Sequence, residues 1–177
     1  MKKIWLSPPH ISGNELQKIQ QVFQENWIAP VGPQIGEFEA KISSFLGGQN
    51  RHVVALNSGH LALKLLNIGS GDVVICQSLS FAASVNPVLY EGATPVFVDS
   101  EKETYNLSPV YLEEAITSQI KKGKKPKAII AVHIYGMPYK VDEIHRISAK
   151  YEIPIIEDAA EAMGSRYSNR ACGSFGD

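Results

Sequence analysis

Four short apolar runs, VVIC (73–76), TPVFVD (94–99), KAIIAVH (127–133) and IPIIED (153–158), constrain the fold of this chain more than any other feature. Each run is continuous rather than alternating. A strand built this way presents apolar side chains on both faces of its sheet. The stretches between the runs read as helices. The one near 82–90 carries Pro87, which removes a helix hydrogen bond and predicts a kink. Ser108-Pro109 opens the next in the favoured order of cap and first-turn proline, and a helix of about 140–152 follows. At the head of the series, HVVAL (52–56) reads as a further strand and SGHLALKLLNIG as its helix, closed by Gly69. Strands alternating with helices, apolar on both faces, imply an α/β fold: a mostly parallel sheet in three layers, α/β/α.

Ahead of this rhythm the pattern is different. Ser12-Gly13-Asn14-Glu15 fits a capping box, and Leu16, Ile19, Val22 and Phe23 follow at helical spacing. A Pro/Gly loop, ENWIAPVGPQ, carries Trp27, and a second helix over about 34–46 stops at Gly47-Gly48. Residues 1–50 therefore read as a helical segment and 51–177 as the sheet-bearing one. The lysine cluster KKGKKPK (121–127) reads better as a solvated connector than as an anion site. SRYSNRACGSFGD looks like a short hairpin and a Gly-rich turn, and a sheet left at that point exposes an edge. We therefore expect the sequence to be the N-terminal part of a longer polypeptide.

Composition works by exclusion. The 177 residues suffice for one sizeable core. Seventeen Lys and Arg against 18 Asp and Glu leave no bulk field to favour nucleic acid or an anionic membrane. No apolar run approaches the roughly 20 residues of a membrane span. The opening MKKIWLSPPH has two lysines but no apolar stretch behind them, so it does not read as a signal peptide. Cys76 and Cys172 lack CxxC spacing and read as reduced thiols of a cytoplasmic protein.

Ligands of open α/β sheets bind beyond the carboxyl ends of the strands. After HVVAL comes Asn57-Ser58-Gly59-His60, at the start of a helix whose free N–H groups and dipole suit an anion, although Ser58 serves equally as a plain cap. After VVIC, Phe81 sits where it can cover a planar ligand or join the core. After KAIIAVH, His133 is either a polar contact in the cleft or a hydrogen-bonded structural residue. After IPIIED come Glu157 and Asp158, which point to opposite faces, so at most one of them aims into a given site. Asp158 could also simply cap a following helix. A phosphate cradle, a flat aromatic cover and a carboxylate at one end of neighbouring strands together suit pyridoxal phosphate (PLP). That cofactor has a phosphate, a planar ring and a pyridinium nitrogen that a carboxylate keeps protonated.

LNSGHLALKLL, SFAASVNPVLYEGATPVFVD, VHIYGMPYKVDEI and IIEDAAEAMGSRYSNRACGSFGD, in this order and spacing, resemble the DegT-type sugar-nucleotide aminotransferases, PLP enzymes of the aspartate-aminotransferase fold. IWLSPPHISGNE and NWIAPVGP look most like the branch that aminates UDP-linked 4-keto-6-deoxy-N-acetyl sugars. The resemblance implies that Ser58, Gly59 and His60 hold the phosphate, with His60 where the family usually has Thr. It implies that Phe81 stacks on the ring, Asp158 pairs with the pyridinium nitrogen, and Glu161 lies near the ring hydroxyl, where Gln is commoner. Trp27 and His133 are candidate substrate contacts. The Schiff-base lysine is expected beyond GSFGD, after residue 177, so no catalytic residue is assigned within the chain, and the C-terminal small domain is expected there too. Residues 51–177 would then be the N-terminal part of the cofactor-binding large domain. The implied activity is amino transfer from a donor, typically glutamate, to a nucleotide-linked keto sugar, by a homodimer that serves surface-glycan or glycoprotein assembly. Relatives with His in place of the lysine dehydrate sugars instead, and a non-catalytic truncated homologue is a third reading.

Overall fold

The computed structural model describes residues 3–5, 8–48, 52–59 and 61–177. Two helices come first, α1 (Glu15–Gln24) and α2 (Pro33–Phe45). The Glu15 carboxylate reaches back to the N–H of Ser12 at 2.7 Å and of Gly13 at 3.0 Å, but the helix is capped at Asn14, which makes no side-chain cap bond, so the expected capping box from Ser12 forms only in its returning arm. At the end of α2, Gly47 and Gly48 both take positive φ and return their N–H groups to Ser44 and Ser43, the glycine stop read from the sequence.

The rest of the chain is α3 (Leu61–Leu65), β1 (Val73–Gln77), α4 (Ala82–Tyr90), β2 (Thr94–Val98), α5 (Pro109–Lys121), β3 (Ala128–Val132), α6 (Val141–Tyr151) and β4 (Ile155–Asp158), then a hairpin of β5 (Arg166–Tyr167) and β6 (Arg170–Ala171). The four longer strands pair in parallel in the order β2-β1-β3-β4. Their continuous apolar character has a simple cause: two cores, one on each face. Ile75, Ile129, Ala131 and Ile155 face a core made with Leu112 and Ile116 of α5 and Ile144 and Ile147 of α6. Val74, Cys76, Ala128, Ile130 and Val132 face the other core, with Leu63 of α3 and Val85 and Val88 of α4. Burying one such side chain contributes about 1.5–3 kcal/mol, and both faces of β1 and β3 collect it.

α5 starts as expected, with Pro109 in its first turn and the Ser108 hydroxyl accepting the Tyr111 N–H. Pro87 lies inside α4, which nevertheless runs on to Tyr90. None of the helices among the described residues is long and apolar enough to cross a membrane.

The expected strand at 52–56 does not form. Residues 52–56 join no ladder, Val54 is 68% exposed, and the Ala55 N–H goes to the Glu39 carboxylate at 2.8 Å instead. A strand is made by its partners, and a five-residue apolar run cannot announce whether a partner will be there. The helix after it is correspondingly short, five residues.

Candidate active site

β1 lies between β2 and β3, so the chain leaves β1 for one side of the sheet and later returns on the other. Such a switch point opens a crevice at the carboxyl ends of the strands. One buried amide pair ties the loops there. Gln77, at the end of β1, accepts the Leu107 N–H at 2.9 Å and donates to Asn106 Oδ1 at 3.1 Å. Asn106 in turn accepts the Ile134 N–H at 3.0 Å and donates to the Met137 carbonyl at 2.8 Å. Leaving such a buried amide unsatisfied would cost about 1–3 kcal/mol, so the pair ties the loops after β1, β2 and β3 to one another.

At the end of β4 the two adjacent carboxylates have opposite surroundings. The Glu157 side chain is 3% exposed. Its Oε1 accepts His133 Nε2–H at 2.7 Å and the Gly173 N–H at 2.5 Å, and its Oε2 accepts the N–H groups of Phe175 at 2.6 Å and Gly176 at 2.8 Å. Burial alone would push this carboxyl up, but the His133 and backbone donors outweigh it and hold the pKa below its ordinary value. His133 Nδ1 accepts the Tyr139 N–H at 3.2 Å, which leaves the ring proton on Nε2, facing Glu157.

Asp158 faces the other way, into a cleft of about 360 Å³. Its Oδ2 accepts the Ser84 hydroxyl at 2.6 Å and its Oδ1 the Ala160 N–H at 3.1 Å. Ser84 is itself met by the Ser80 hydroxyl at 2.9 Å. Gly59, Ser84 and Asp158 line the cleft together with the apolar walls of Leu63, Ile130 and Ile156. A β-carbon added at Gly59 would meet nothing within 4 Å, so its backbone stays open to a ligand.

The expected site residues therefore divide. Gly59 and Asp158 come together in the cleft. Phe81 caps α4 one turn before Ser84 and is 60% exposed. Ser58 lies in a neighbouring recess with Asn57, Leu61 and Lys64. Glu161 accepts the Tyr135 N–H at 2.7 Å, with Tyr135 at φ 53, a left-handed conformation uncommon away from glycine. Trp27, 44% exposed, sits against Gly32 in the loop before α2. His60 lies outside the described residues. His133 is corrected: its ring is 0% exposed, both nitrogens are engaged, and it stacks on Tyr139 with centroids 4.5 Å apart. It is the structural histidine of the two readings, turned into the core rather than toward a cleft. The sequence reading missed Ser84, although Ser80 and Ser84 stand one helical turn apart in SFAAS, a spacing that puts two hydroxyls on one side of a helix start. It also missed the Gln77–Asn106 pair, which no local pattern signals.

The chain matches the model of the DegT/DnrJ/EryC1/StrS aminotransferase family over residues 9–177. It is 48% identical over 99% of its length to EpsN of Bacillus subtilis (strain 168), assigned as a pyridoxal phosphate-dependent aminotransferase, and covers 46% of that protein. It is 39% identical over its whole length to GDP-perosamine synthase of Caulobacter vibrioides, covering 47% of it. A solved structure from Streptococcus pneumoniae, described as a sugar aminotransferase and captured in its PLP form, superposes with a TM-score of 0.87 at 31% identity, over 99% of this chain and 47% of that one. A three-layer fold with an acid-floored cleft at its switch point, matched over this length, defines the class: the chain belongs to the DegT/DnrJ/EryC1/StrS aminotransferase family. The family match, together with the PLP form of the similar Streptococcus pneumoniae structure, identifies pyridoxal phosphate as the cofactor. The chain spans about half the length of the relatives it matches.

The residues present fit that group. The cleft offers apolar walls for a ring, and of the two acidic residues on its lining the Glu157 carboxylate is taken up by His133 and the 173–176 turn, which leaves Asp158 to meet an aromatic cation. Asp158 keeps acceptor capacity beyond its two internal hydrogen bonds.

Proposed function

We propose that the complete protein transfers an amino group from an amino-acid donor, glutamate by expectation, to the carbonyl carbon of a nucleotide-linked 4-keto-6-deoxy sugar, in amino-sugar synthesis for surface glycans or glycoproteins. Residues 51–177 would be the N-terminal part of its cofactor-binding domain, within a homodimer. The observation that carries this reading is Asp158, presented at the end of β4 into the cleft that Gly59 also lines.

When bound, pyridoxal phosphate supplies an electron-withdrawing ring that stabilises carbanion character at the amino-bearing carbon. This chain's residues would hold and tune it. Asp158 would accept the ring N–H and favour the protonated nitrogen, since an ionised carboxylate stabilises a neighbouring cation in a cleft of reduced dielectric. The Ser84 hydroxyl and the Ala160 N–H would keep that carboxylate oriented. Backbone N–H groups around Ser58 and Gly59 would take the phosphate, and Phe81 would cover the ring. Two half-reactions, donor then sugar, imply ping-pong kinetics.

The test is an assay of the full-length enzyme with glutamate and either a UDP-linked or a GDP-linked 4-keto-6-deoxy hexose, with products read by mass. Replacement of the carbonyl oxygen by an amino group is expected with one of the two. Loss of water instead, or no conversion of either sugar, would overturn the assignment.

A further inference from the structure

Glu157 and Asp158 are neighbours on one strand, and His133 holds both. Its backbone N–H donates to the Asp158 carbonyl at 3.0 Å, and its ring donates to the Glu157 carboxylate at 2.7 Å. On the far side of Glu157, three N–H groups of the 173–176 turn close the ring of donors. A β-carbon added at Gly176 would come within 3.1 Å of the Glu157 β-carbon, so the turn sits hard against this residue. The carboxylate thus joins β3, β4 and a turn 16–19 residues further along the chain. Successive residues of a strand point to opposite faces, so whatever fixes the rotation of Glu157 also fixes that of Asp158.

We propose that Glu157 is the positioning residue for Asp158. Clamped between His133 and the 173–176 turn, it prevents the end of β4 from rotating or slipping and keeps Asp158 facing the nitrogen of the bound cofactor. The role toward the cofactor rests on the PLP reading of the cleft, whereas the clamp itself does not. Every partner of Glu157 is a donor, which makes the charge pattern specific. An amide in its place must turn its own NH2 group either on His133 and Gly173 or on Phe175 and Gly176, donor against donors. His133 cannot relieve the conflict by moving its proton to Nδ1, because that nitrogen already accepts the Tyr139 N–H.

The experiment compares wild-type protein with Glu157→Gln and Gly176→Ala, first without cofactor by amide hydrogen exchange, then with PLP labelled with ¹⁵N in the ring. Gly176→Ala pushes the turn and Glu157 apart while keeping the carboxyl group itself, and so remains informative if Glu157→Gln fails to fold. The expected result is at least tenfold faster exchange at His133 and Ala160, whose N–H groups bind Asp158, with Ile75 and Ile129 still protected. The ring-nitrogen signal is expected to move toward the unprotonated form in the variants. Faster exchange confined to Gly173, Phe175 and Gly176, with His133, Ala160 and the ring nitrogen as in wild type, would overturn the proposal, since Glu157 would then merely hold a turn. Loss of protection throughout both variants would also overturn it, because Glu157 would then govern the whole fold rather than Asp158. A wild-type protein that leaves the ring-nitrogen signal unchanged would defeat the cofactor reading instead, and exchange at His133 and Ala160 would still decide whether Glu157 holds Asp158.

Discussion

The two N-terminal helices and the sheet that comes after them obey different rules. α1 and α2 bury none of their residues, and Leu16, Ile19, Phe23 and Phe38 stay exposed. β1 and β3 bury every residue they have. The contrast extends to carboxylates. Glu15 is fully exposed, and its pKa is pushed down to about 2, first by the Ser12 N–H. Glu157 is also satisfied by N–H groups, but inside the protein. Local hydrogen bonding can shape a helix start without committing the segment to a core. Between strands the same kind of bond becomes structural, because water cannot replace it.

Substitutions can break this contrast, and the largest effect belongs to the sheet. Ile129→Ala, at a fully buried site between β1 and β4, should cost about 2–5 kcal/mol in urea unfolding. A cost below 1 kcal/mol would mean that the face it packs on is loose in solution. Next comes the acid limb of stability. The Glu157 pKa is lowered in the folded state from its ordinary 4.5, so its contribution is complete above that value. As pH falls through 4.5 toward the folded value, the unfolded chain takes up the proton first, and stability declines. Urea midpoints measured from pH 6 to pH 3 should fall, and more shallowly once Glu157→Gln removes the titrating group. A smaller effect is expected at the start of α5. Ser108→Ala removes the cap on the Tyr111 N–H and should cost about 1 kcal/mol, again by urea unfolding.

The sheet was legible because its signal is redundant. A strand such as Ala128–Val132, apolar at every position, suits only a sheet covered on both faces, and the helices between strands supply the covers. Residues 52–56 carry the same kind of apolar signal without a ladder to join, and local pattern cannot tell the two cases apart. The position of Asp158 at a strand end, on the cleft, was legible from the sequence. His133 stood at an equivalent place and turned inward, because a buried carboxylate on the neighbouring strand was there to accept its ring N–H. That pairing spans 24 residues of sequence, as the Gln77–Asn106 pair spans 29, and neither leaves a periodic trace.

The smallest expected effect tests the other half of the contrast. Phe23 lies on α1 with its ring largely in solvent, so Phe23→Ala should change stability by no more than about 0.5 kcal/mol, as exposed substitutions usually do. The apolar residues Leu16, Ile19 and Phe23 recur at helical spacing on α1, the pattern that elsewhere in this protein marks a buried face. If urea unfolding shows a cost near that of Ile129→Ala, the face is covered in solution, and α1 belongs to the same cooperative unit as the sheet. If the cost depends on protein concentration, the cover is a second copy of the chain, since only association makes stability follow concentration. A small, concentration-independent value keeps the two regions as distinct as their burial makes them: one held by local hydrogen bonds, the other by packing on both sides of a sheet.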